Sequence, residues 1–253
     1  MKKLNKVGKI SFQNETEIDT SKSVFESLFS KKIPNDEILE NLGIFFTSKN
    51  LSRILCLNDL YQKQIELHGN ILDYGTRWGQ NACIFALLRG IYEPFNRHKK
   101  IYAFDTFEGF NKINKLDGVS KLMKKGNLAT TKNYHKFLEK QLSNIERNNP
   151  LSHIKKFDVL KGDAVKKTQE LIRQNKHLII SMVYFDFDVY EPTYECLEII
   201  KPRLVKGSVV AFDELNDPDS PGETLALMKS FGLNKIKLKR HRYASRISYF
   251  IFE

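Results

Sequence analysis

The sequence has few cysteines and no apolar stretch long enough to cross a bilayer. The three cysteines, Cys56, Cys83 and Cys196, lie far apart and are odd in number, so we expect free thiols in a reducing cytoplasm rather than a disulfide framework. No run of about 18 apolar residues occurs, which excludes a membrane-spanning helix. The basic start, Met1-Lys2-Lys3, is not followed by an apolar segment, so we expect no signal peptide.

The sequence also lacks internal repeats, low-complexity segments and any Cys and His spacing typical of a zinc site. Its 253 residues are 41% hydrophobic, enough for one large domain with appendages. The formal net charge is +11, but the lysines are spread along the chain. The densest clusters are residues 121–125 and 235–242, and the second alternates with apolar residues as a half-solvated strand does. A basic solvated face is therefore favoured over a nucleic-acid groove, and attraction of an anionic small substrate such as a nucleotide-sugar is a third possibility.

The first quarter of the chain is predicted to be helical. Residues 1–20 are polar and weakly patterned, which indicates a mobile lead-in, and residues 21–64 have apolar residues at helical spacing. We therefore expect a helical extension over residues 1–66, ahead of a main domain over residues 67–253. The extension is expected to cover a cofactor site or to form the surface of a homodimer.

The main domain alternates apolar strands with helical segments, which predicts an α/β fold. We expect a Rossmann-like, seven-stranded, mostly parallel sheet with an antiparallel last strand and helices on both faces. An insertion over residues 111–150 carries one predicted helix, residues 131–147, and its length is typical of a lid or a substrate-binding element. The predicted strands cover residues 70–74, 100–105, 154–160, 178–185, 208–212, 235–241 and 247–252.

The first predicted strand runs into a turn with glycines at Gly75 and Gly79, and a helix follows at once. Glycines allow positive φ and close approach of a ligand to the backbone, and the helix start offers free N–H groups. The spacing differs from the dinucleotide motif with its pyrophosphate seat. The turn therefore favours a nucleoside-like ligand without phosphates, with an ordinary strand-to-helix turn as the alternative.

Acidic residues end five successive predicted strands. Ligands bind at the carboxyl ends of the strands in open α/β sheets, so these carboxylates are expected to lie along one rim. Asp105 is a candidate acceptor for both ribose hydroxyls. Asp163 is a candidate acceptor for an adenine amino group or, equally, a helix N-cap. The acids at the strand ends are Asp73, Asp105, Asp163, Asp186 with Asp188, and Asp213 with Glu214.

The last four of these acids are expected to lie at the ends of neighbouring strands. Carboxylates brought that close resist simultaneous ionisation unless a cation joins them, and oxygen ligands suit Mg²⁺ or Ca²⁺. The alternative is that Asp186 or Asp188 caps the following helix and that Glu214 is solvated. If the site is catalytic, Asp186 or Asp188 is the candidate base that takes a proton from an acceptor hydroxyl.

In these stretches the sequence resembles the class I S-adenosylmethionine-dependent methyltransferases, and within them the macrocin O-methyltransferase group of sugar methyltransferases. The resemblance spans residues 70–215, and the tyrosine-glutamate-x-threonine run after the fourth strand is its most specific part. The matching stretches are residues 73–79, 104–110, 162–164, 186–193 and 212–214.

The resemblance implies an S-adenosylmethionine site along the first three stretches and a Mg²⁺ site at Asp186, Asp213 and Glu214. The chain departs from the group in having Glu214 in place of a second aspartate, and Phe187 between the two acids. The implied donor-binding residues are Asp73, Tyr74, Gly75, Thr76, Arg77, Gly79, Asp105, Thr106, Phe107, Gly162, Asp163 and Ala164.

The implied activity is O-methylation of a sugar or polyol, assisted by Mg²⁺. Three alternatives stay open: methylation of another phosphorylated or nucleotide-linked small molecule, an RNA-binding methyltransferase, and a non-catalytic scaffold. The clustered acids argue against the scaffold. The absence of a basic motif interleaved with aromatic residues argues against RNA.

Overall fold

The structure, a computed structural model, describes residues 15–244 and 246–253. Residues 1–14, most of the predicted lead-in, lie outside the described residues. The helix α1 already begins at Glu15, so the last part of that predicted lead-in is helical. The α-helices are Glu15–Leu28 (α1), Ser48–Gln62 (α2), Gln80–Tyr92 (α3), Tyr134–Arg147 (α4), Ala164–Gln174 (α5), Tyr190–Ile200 (α6) and Gly222–Ser230 (α7).

The chain divides into two compact units, residues 1–55 and residues 56–253. The described part of the first unit holds α1, a 3₁₀ segment at Leu39–Phe45 and the first half of α2. Thr47 precedes α2, and its hydroxyl accepts a hydrogen bond from the Asn50 N–H. That contact satisfies one of the unpaired donors at the helix start.

The second unit is built on one seven-stranded sheet, as the sequence predicts. The strands follow the order β3-β2-β1-β4-β5-β7-β6, and β7 runs antiparallel to both of its neighbours while the other adjacent pairs are parallel. The strands are Asn70–Tyr74 (β1), Ile101–Asp105 (β2), Phe157–Lys161 (β3), Ile180–Phe185 (β4), Leu204–Phe212 (β5), Lys239–Arg240 (β6) and Ser248–Ile251 (β7).

Each face of the sheet carries its own apolar core. Alternation along the strands sends Ile71 and Tyr184 to one face, under α3 and α4, and Leu72 and Phe185 to the other, under α5 and α6. Every residue of β4 is buried, as expected for a parallel strand covered on both faces. The predicted sixth strand is largely absent, because residues 233–235 form a 3₁₀ turn and only two residues pair.

The insertion contributes to the first of these cores. Leu138 and Leu142 of α4 are buried there, and an added Cβ on Gly79 would lie 2.1 Å from Leu138 Cδ1. The helix α4 therefore packs directly on the turn that follows β1. Among the described residues, no helix combines the length and the apolar character that crossing a bilayer requires.

Candidate active site

The candidate site lies at the carboxyl edge of the sheet, between β1 and β4. The chain leaves β1 toward β2 on one side, and β4 lies on the other, so the strand order reverses here. Such a switch point opens a crevice in which α/β proteins bind ligands. The structure brings together here the turn after β1 and the acidic ends of β2, β4 and β5.

The turn after β1 is held tightly by protein atoms. Gly75 and Gly79 both have positive φ, 76° and 77°, and the N–H groups of Gly75 and Thr76 donate to the Phe104 carbonyl. An added Cβ on Gly75 would lie 2.0 Å from the Asp186 carbonyl oxygen. Close packing of the chain on itself therefore already accounts for both glycines, as expected from the alternative of an ordinary strand-to-helix turn.

Asp105 ends β2 and organises the neighbouring backbone. Its Oδ1 accepts from the Phe107 N–H at 2.6 Å, and its Oδ2 accepts from the Arg77 N–H at 2.8 Å. Burial raises the pKa of Asp105 despite these two hydrogen bonds. Each carboxylate oxygen has two lone-pair sites, so both oxygens retain capacity for a further donor.

Two other predicted donor-binding residues have structural contacts of their own. The Tyr74 side chain is buried in the core, where its hydroxyl lies 2.8 Å from that of Thr168, so only its backbone faces the crevice side of the turn. Asp163 caps α5, accepting from the Lys166 N–H at 2.9 Å. The N-cap alternative for Asp163 is therefore observed, and its contact with an adenine stays a prediction.

The remaining predicted residues line the same edge. Asp73 is buried and accepts from the Asn81 side-chain amide at 3.3 Å. The Thr106 hydroxyl donates to the Gly109 carbonyl at 2.9 Å, and the Phe107 ring is buried near that of Tyr134. Gly162 and Ala164 flank Asp163, and Gly162 has a φ of 135°.

The catalytic candidates follow β4, and the neighbouring strand brings a further acid beside them. Phe185 and Phe212 pair in register, so Asp186 and Asp213 leave adjacent strands at the same level. The Tyr184 hydroxyl donates to Asp213 Oδ1 at 2.6 Å. Asp188 is buried, and burial together with the charge of Asp213 raises its pKa to about 6.

The three predicted metal ligands do not form one ligand set. The carboxylate of Glu214 is buried in an ion pair with Arg246, which also lies 3.4 Å from Asp217. No group of three His, Cys, Asp or Glu side chains in the described ranges is arranged to hold a metal. The guanidinium of Arg246 pairs with Glu214, the third predicted metal ligand. The residues as placed therefore do not fit the predicted Mg²⁺ site.

Comparison with solved structures identifies the family. The chain is 32% identical to the calicheamicin methyltransferase CalS11, with a TM-score of 0.93 over 96% of this chain and 95% of that chain. The chain belongs to the class I S-adenosylmethionine-dependent sugar O-methyltransferases. An apo structure of CalS11, named there as a TDP-rhamnose 3'-O-methyltransferase of calicheamicin biosynthesis, is 30% identical, with a TM-score of 0.85 over 96% of each chain.

A more distant structure adds only the fold. The O-methyltransferase NovP is 16% identical, with a TM-score of 0.54 over 80% of each chain. No protein-family model matches this methyltransferase, and no curated protein does. The match to CalS11 confirms the predicted family, fold class and enzyme class.

Sequence reasoning missed three charged residues of the site: Asp117, Glu223 and Arg246. Glu223 lies in the first turn of α7, where an acidic residue is common. Asp117 lies in the polar insertion, and Arg246 lies in the turn between the last two strands. None of the three has a local pattern that distinguishes it from a solvated charge, because each reaches the site through long-range packing.

Proposed function

We propose that this methyltransferase transfers the methyl group of S-adenosylmethionine to a ring hydroxyl of a nucleoside-diphosphate sugar. The observation that carries the proposal is the match along nearly the whole chain to CalS11, whose named activity is 3'-O-methylation of TDP-rhamnose. The formal net charge of +11 supports it, because a positive chain attracts a diphosphate-linked substrate.

The donor chemistry fits the edge described above. S-adenosylmethionine supplies an electrophilic methyl group on a positively charged sulfonium, and its ribose and amino groups donate hydrogen bonds. Buried carboxylates suit such a donor, and we assign that role to Asp73 and Asp105. The backbone from Tyr74 to Gly79 and the start of α3, where Gly79 provides no side-chain cap, complete the proposed donor site.

Asp188 is the proposed base. It is buried beside Asp213, and a raised pKa near 6 still leaves it ionised at neutral pH while making it a better proton acceptor than an exposed aspartate. Asp188 takes the proton of the acceptor hydroxyl as the sugar oxygen forms its bond to the methyl carbon. The carbon–sulfur bond breaks with its electron pair moving to sulfur, which leaves S-adenosylhomocysteine.

Mg²⁺ assistance is a separate proposal on which no step above depends, and it requires the ion pair of Glu214 with Arg246 to open. Treatment with EDTA followed by Mg²⁺ addition tests it directly. Loss and recovery of turnover would support metal assistance, and undiminished turnover in EDTA would contradict it. Glu214→Ala is the matched variant: with a metal at Glu214, this variant needs more Mg²⁺ for half-maximal turnover.

The acceptor is tested with a panel of sugar nucleotides, free sugars, phosphorylated sugars and RNA, each with labelled donor. Labelled methyl ether on a sugar nucleotide, with stoichiometric S-adenosylhomocysteine, is the expected result. Label on RNA or on a nitrogen would overturn the proposal in favour of one of the alternatives named above.

Three organisational proposals accompany the function. We infer a cytoplasmic location, a homodimer in solution, and an extension over residues 1–66 ahead of a methyltransferase domain over residues 67–253 with its insertion at 111–150. Light scattering on the purified chain tests the dimer. Limited proteolysis tests the boundary: a stable fragment beginning near residue 67 would support it, and a stable fragment beginning near residue 56, where the second compact unit starts, would contradict it.

A further inference from the structure

The turn that carries Asp188 has an unusual backbone. Asp188 has a φ of 62°, a left-handed conformation that costs a non-glycine residue roughly 1 kcal/mol or more. The helix α6 begins directly after it, with Val189 as an N-cap that provides no side-chain hydrogen bond. The N–H groups at the start of a helix need other partners, so neighbouring elements must hold this turn.

Glu223 of α7 holds one side of the turn. Its side chain is fully buried, and its Oε1 accepts from the Phe187 N–H at 2.8 Å and from the Asp188 N–H at 3.3 Å. The preceding Gly222 packs so closely that an added Cβ would lie 2.8 Å from the Asp188 carbonyl oxygen. The start of α7 is therefore fitted against the backbone of the proposed base.

Asp117 of the insertion holds the other side. It is buried, and its Oδ1 accepts from the Tyr190 N–H at 2.7 Å. Asp117 thus caps the start of α6 from a distant part of the chain, where the Val189 side chain provides no hydrogen bond. Its Oδ2 accepts from the Asn114 N–H at 2.7 Å. The next residue, Gly118, packs so closely that an added Cβ would lie 2.6 Å from the Asp219 carbonyl oxygen.

We propose that Glu223 and Asp117 are positioning residues, which fix the 187–190 turn so that the Asp188 carboxylate faces the acceptor hydroxyl. The proposal rests on the proposed function of Asp188. Burying a carboxyl group costs more than burying an apolar side chain of similar size. Two buried carboxyl groups that accept from the N–H groups of Phe187, Asp188 and Tyr190 are therefore a costly way to stabilise a turn unless the geometry of that turn matters.

The test compares Glu223→Met, which removes the accepting oxygen at similar length, with Glu223→Gln, which keeps it. A base displaced by about 1 Å costs on the order of 100-fold in rate, so we expect that loss in kcat for Glu223→Met. KM for both substrates and donor affinity stay within about twofold, because the donor site is untouched. Glu223→Gln is expected to restore kcat to within about fivefold of the original chain.

Amide hydrogen exchange measures how firmly the 187–190 turn is held, and it needs no sugar substrate. Losing the Glu223 contacts is expected to speed exchange of the Phe187 and Asp188 N–H groups by about tenfold, and Glu223→Gln leaves it slow. Glu146→Gln is the matched control: it alters another buried acid, remote from the turn, and lowers stability without changing kcat or this exchange. Asp117→Ala provides a second route, with faster exchange at Tyr190, if Glu223→Met does not fold.

Wild-type exchange in Glu223→Met and Asp117→Ala would overturn the proposal, and so would faster exchange with unchanged kcat. A failure of the proposed function looks different. In that case the unaltered chain itself methylates no sugar nucleotide, while the exchange comparison still decides whether the two carboxylates hold the turn.

Discussion

At the amino edge of the sheet, buried charges are matched with opposite charges, whereas at the carboxyl edge the buried acids Asp188 and Glu223 lie beside other acids, although Glu214 there pairs with Arg246. Arg89 and Lys156 both pair with Glu146, and the Lys156 Nζ lies 3.1 Å from the Glu146 carboxylate. Nearby, the Lys99 ammonium donates to Gln64 at 2.7 Å and to Glu93 at 2.9 Å.

The carboxyl edge is arranged in the opposite way. The charge of Asp213 adds to burial in raising the pKa of Asp188, and burial with the charges of Asp188 and Asp186 raises that of Glu223 well above its usual range. Folding alone does not favour such a cluster. The difference between the edges supports the proposal that the carboxyl edge is the reaction site.

The largest expected effect comes from removing the proposed base. Asp188→Asn should lower kcat by roughly 10²- to 10⁴-fold, the usual contribution of a general base, while donor affinity stays unchanged. Its melting temperature should stay level or rise, because a charge leaves a crowded acidic cluster. Steady-state kinetics, calorimetric donor titration and thermal melting measure the three quantities.

Asp186→Asn, measured in parallel, tests which of the two acids is the base. The larger loss of kcat is expected in Asp188→Asn. A larger loss in Asp186→Asn would exchange their roles, and lower donor affinity in either variant would indicate a role in the donor site.

The amino edge should respond in stability rather than in rate. Glu146→Gln leaves Arg89 and Lys156 buried without their carboxylate, which typically costs 3–5 kcal/mol, an order-of-magnitude value, in the free energy of unfolding. Turnover per folded molecule should be unchanged. Urea unfolding gives the change in the free energy of unfolding. A change in kcat would contradict the proposed difference between the two edges.

A pair of glycine variants sharpens the comparison further. Gly75→Ala should lose more stability than Gly126→Ala, because both have positive φ but only Gly75 has an oxygen 2.0 Å from the new Cβ. The shared backbone penalty is about 1 kcal/mol. Equal losses in chemical denaturation would show that the carboxyl-edge turn is looser than described.

The smallest expected effect concerns His241, which belongs to neither cluster. Burial lowers its pKa, and its Nδ1 accepts from the Tyr243 N–H at 3.2 Å, so the fold favours the neutral ring. Because the folded pKa lies below the unfolded value of about 6.5, stability should fall as pH drops below that value. Unfolding of His241→Gln from pH 7 to pH 5 should show a shallower decline; an identical decline would contradict this.

Local pattern was sufficient to predict most strands of the sheet. The apolar run from Ile180 to Phe185 and the acids after each strand are short-range signals, and parallel topology then brings those acids to one edge. The prediction was wrong in length for the sixth strand, which has only the two residues Lys239–Arg240. Alternation of apolar and polar residues over 235–241 indicates one exposed face but does not specify a pairing partner.

The contacts that orient the site could not be predicted in this way. Asp117 lies 73 positions before its partner Tyr190, and Glu223 lies 36 positions after Phe187. The ion pair of Glu214 with Arg246 likewise depends on the final hairpin. These contacts depend on which loops meet, a property of tertiary packing rather than of local sequence.

The most direct test of the account is the fate of a ¹³C-labelled methyl group, followed by NMR after incubation with labelled donor and a nucleoside-diphosphate sugar. The account predicts a labelled methyl ether on a ring oxygen with the unaltered chain, and donor binding without that product in Asp188→Asn. Equal product formation by Asp188→Asn would contradict it.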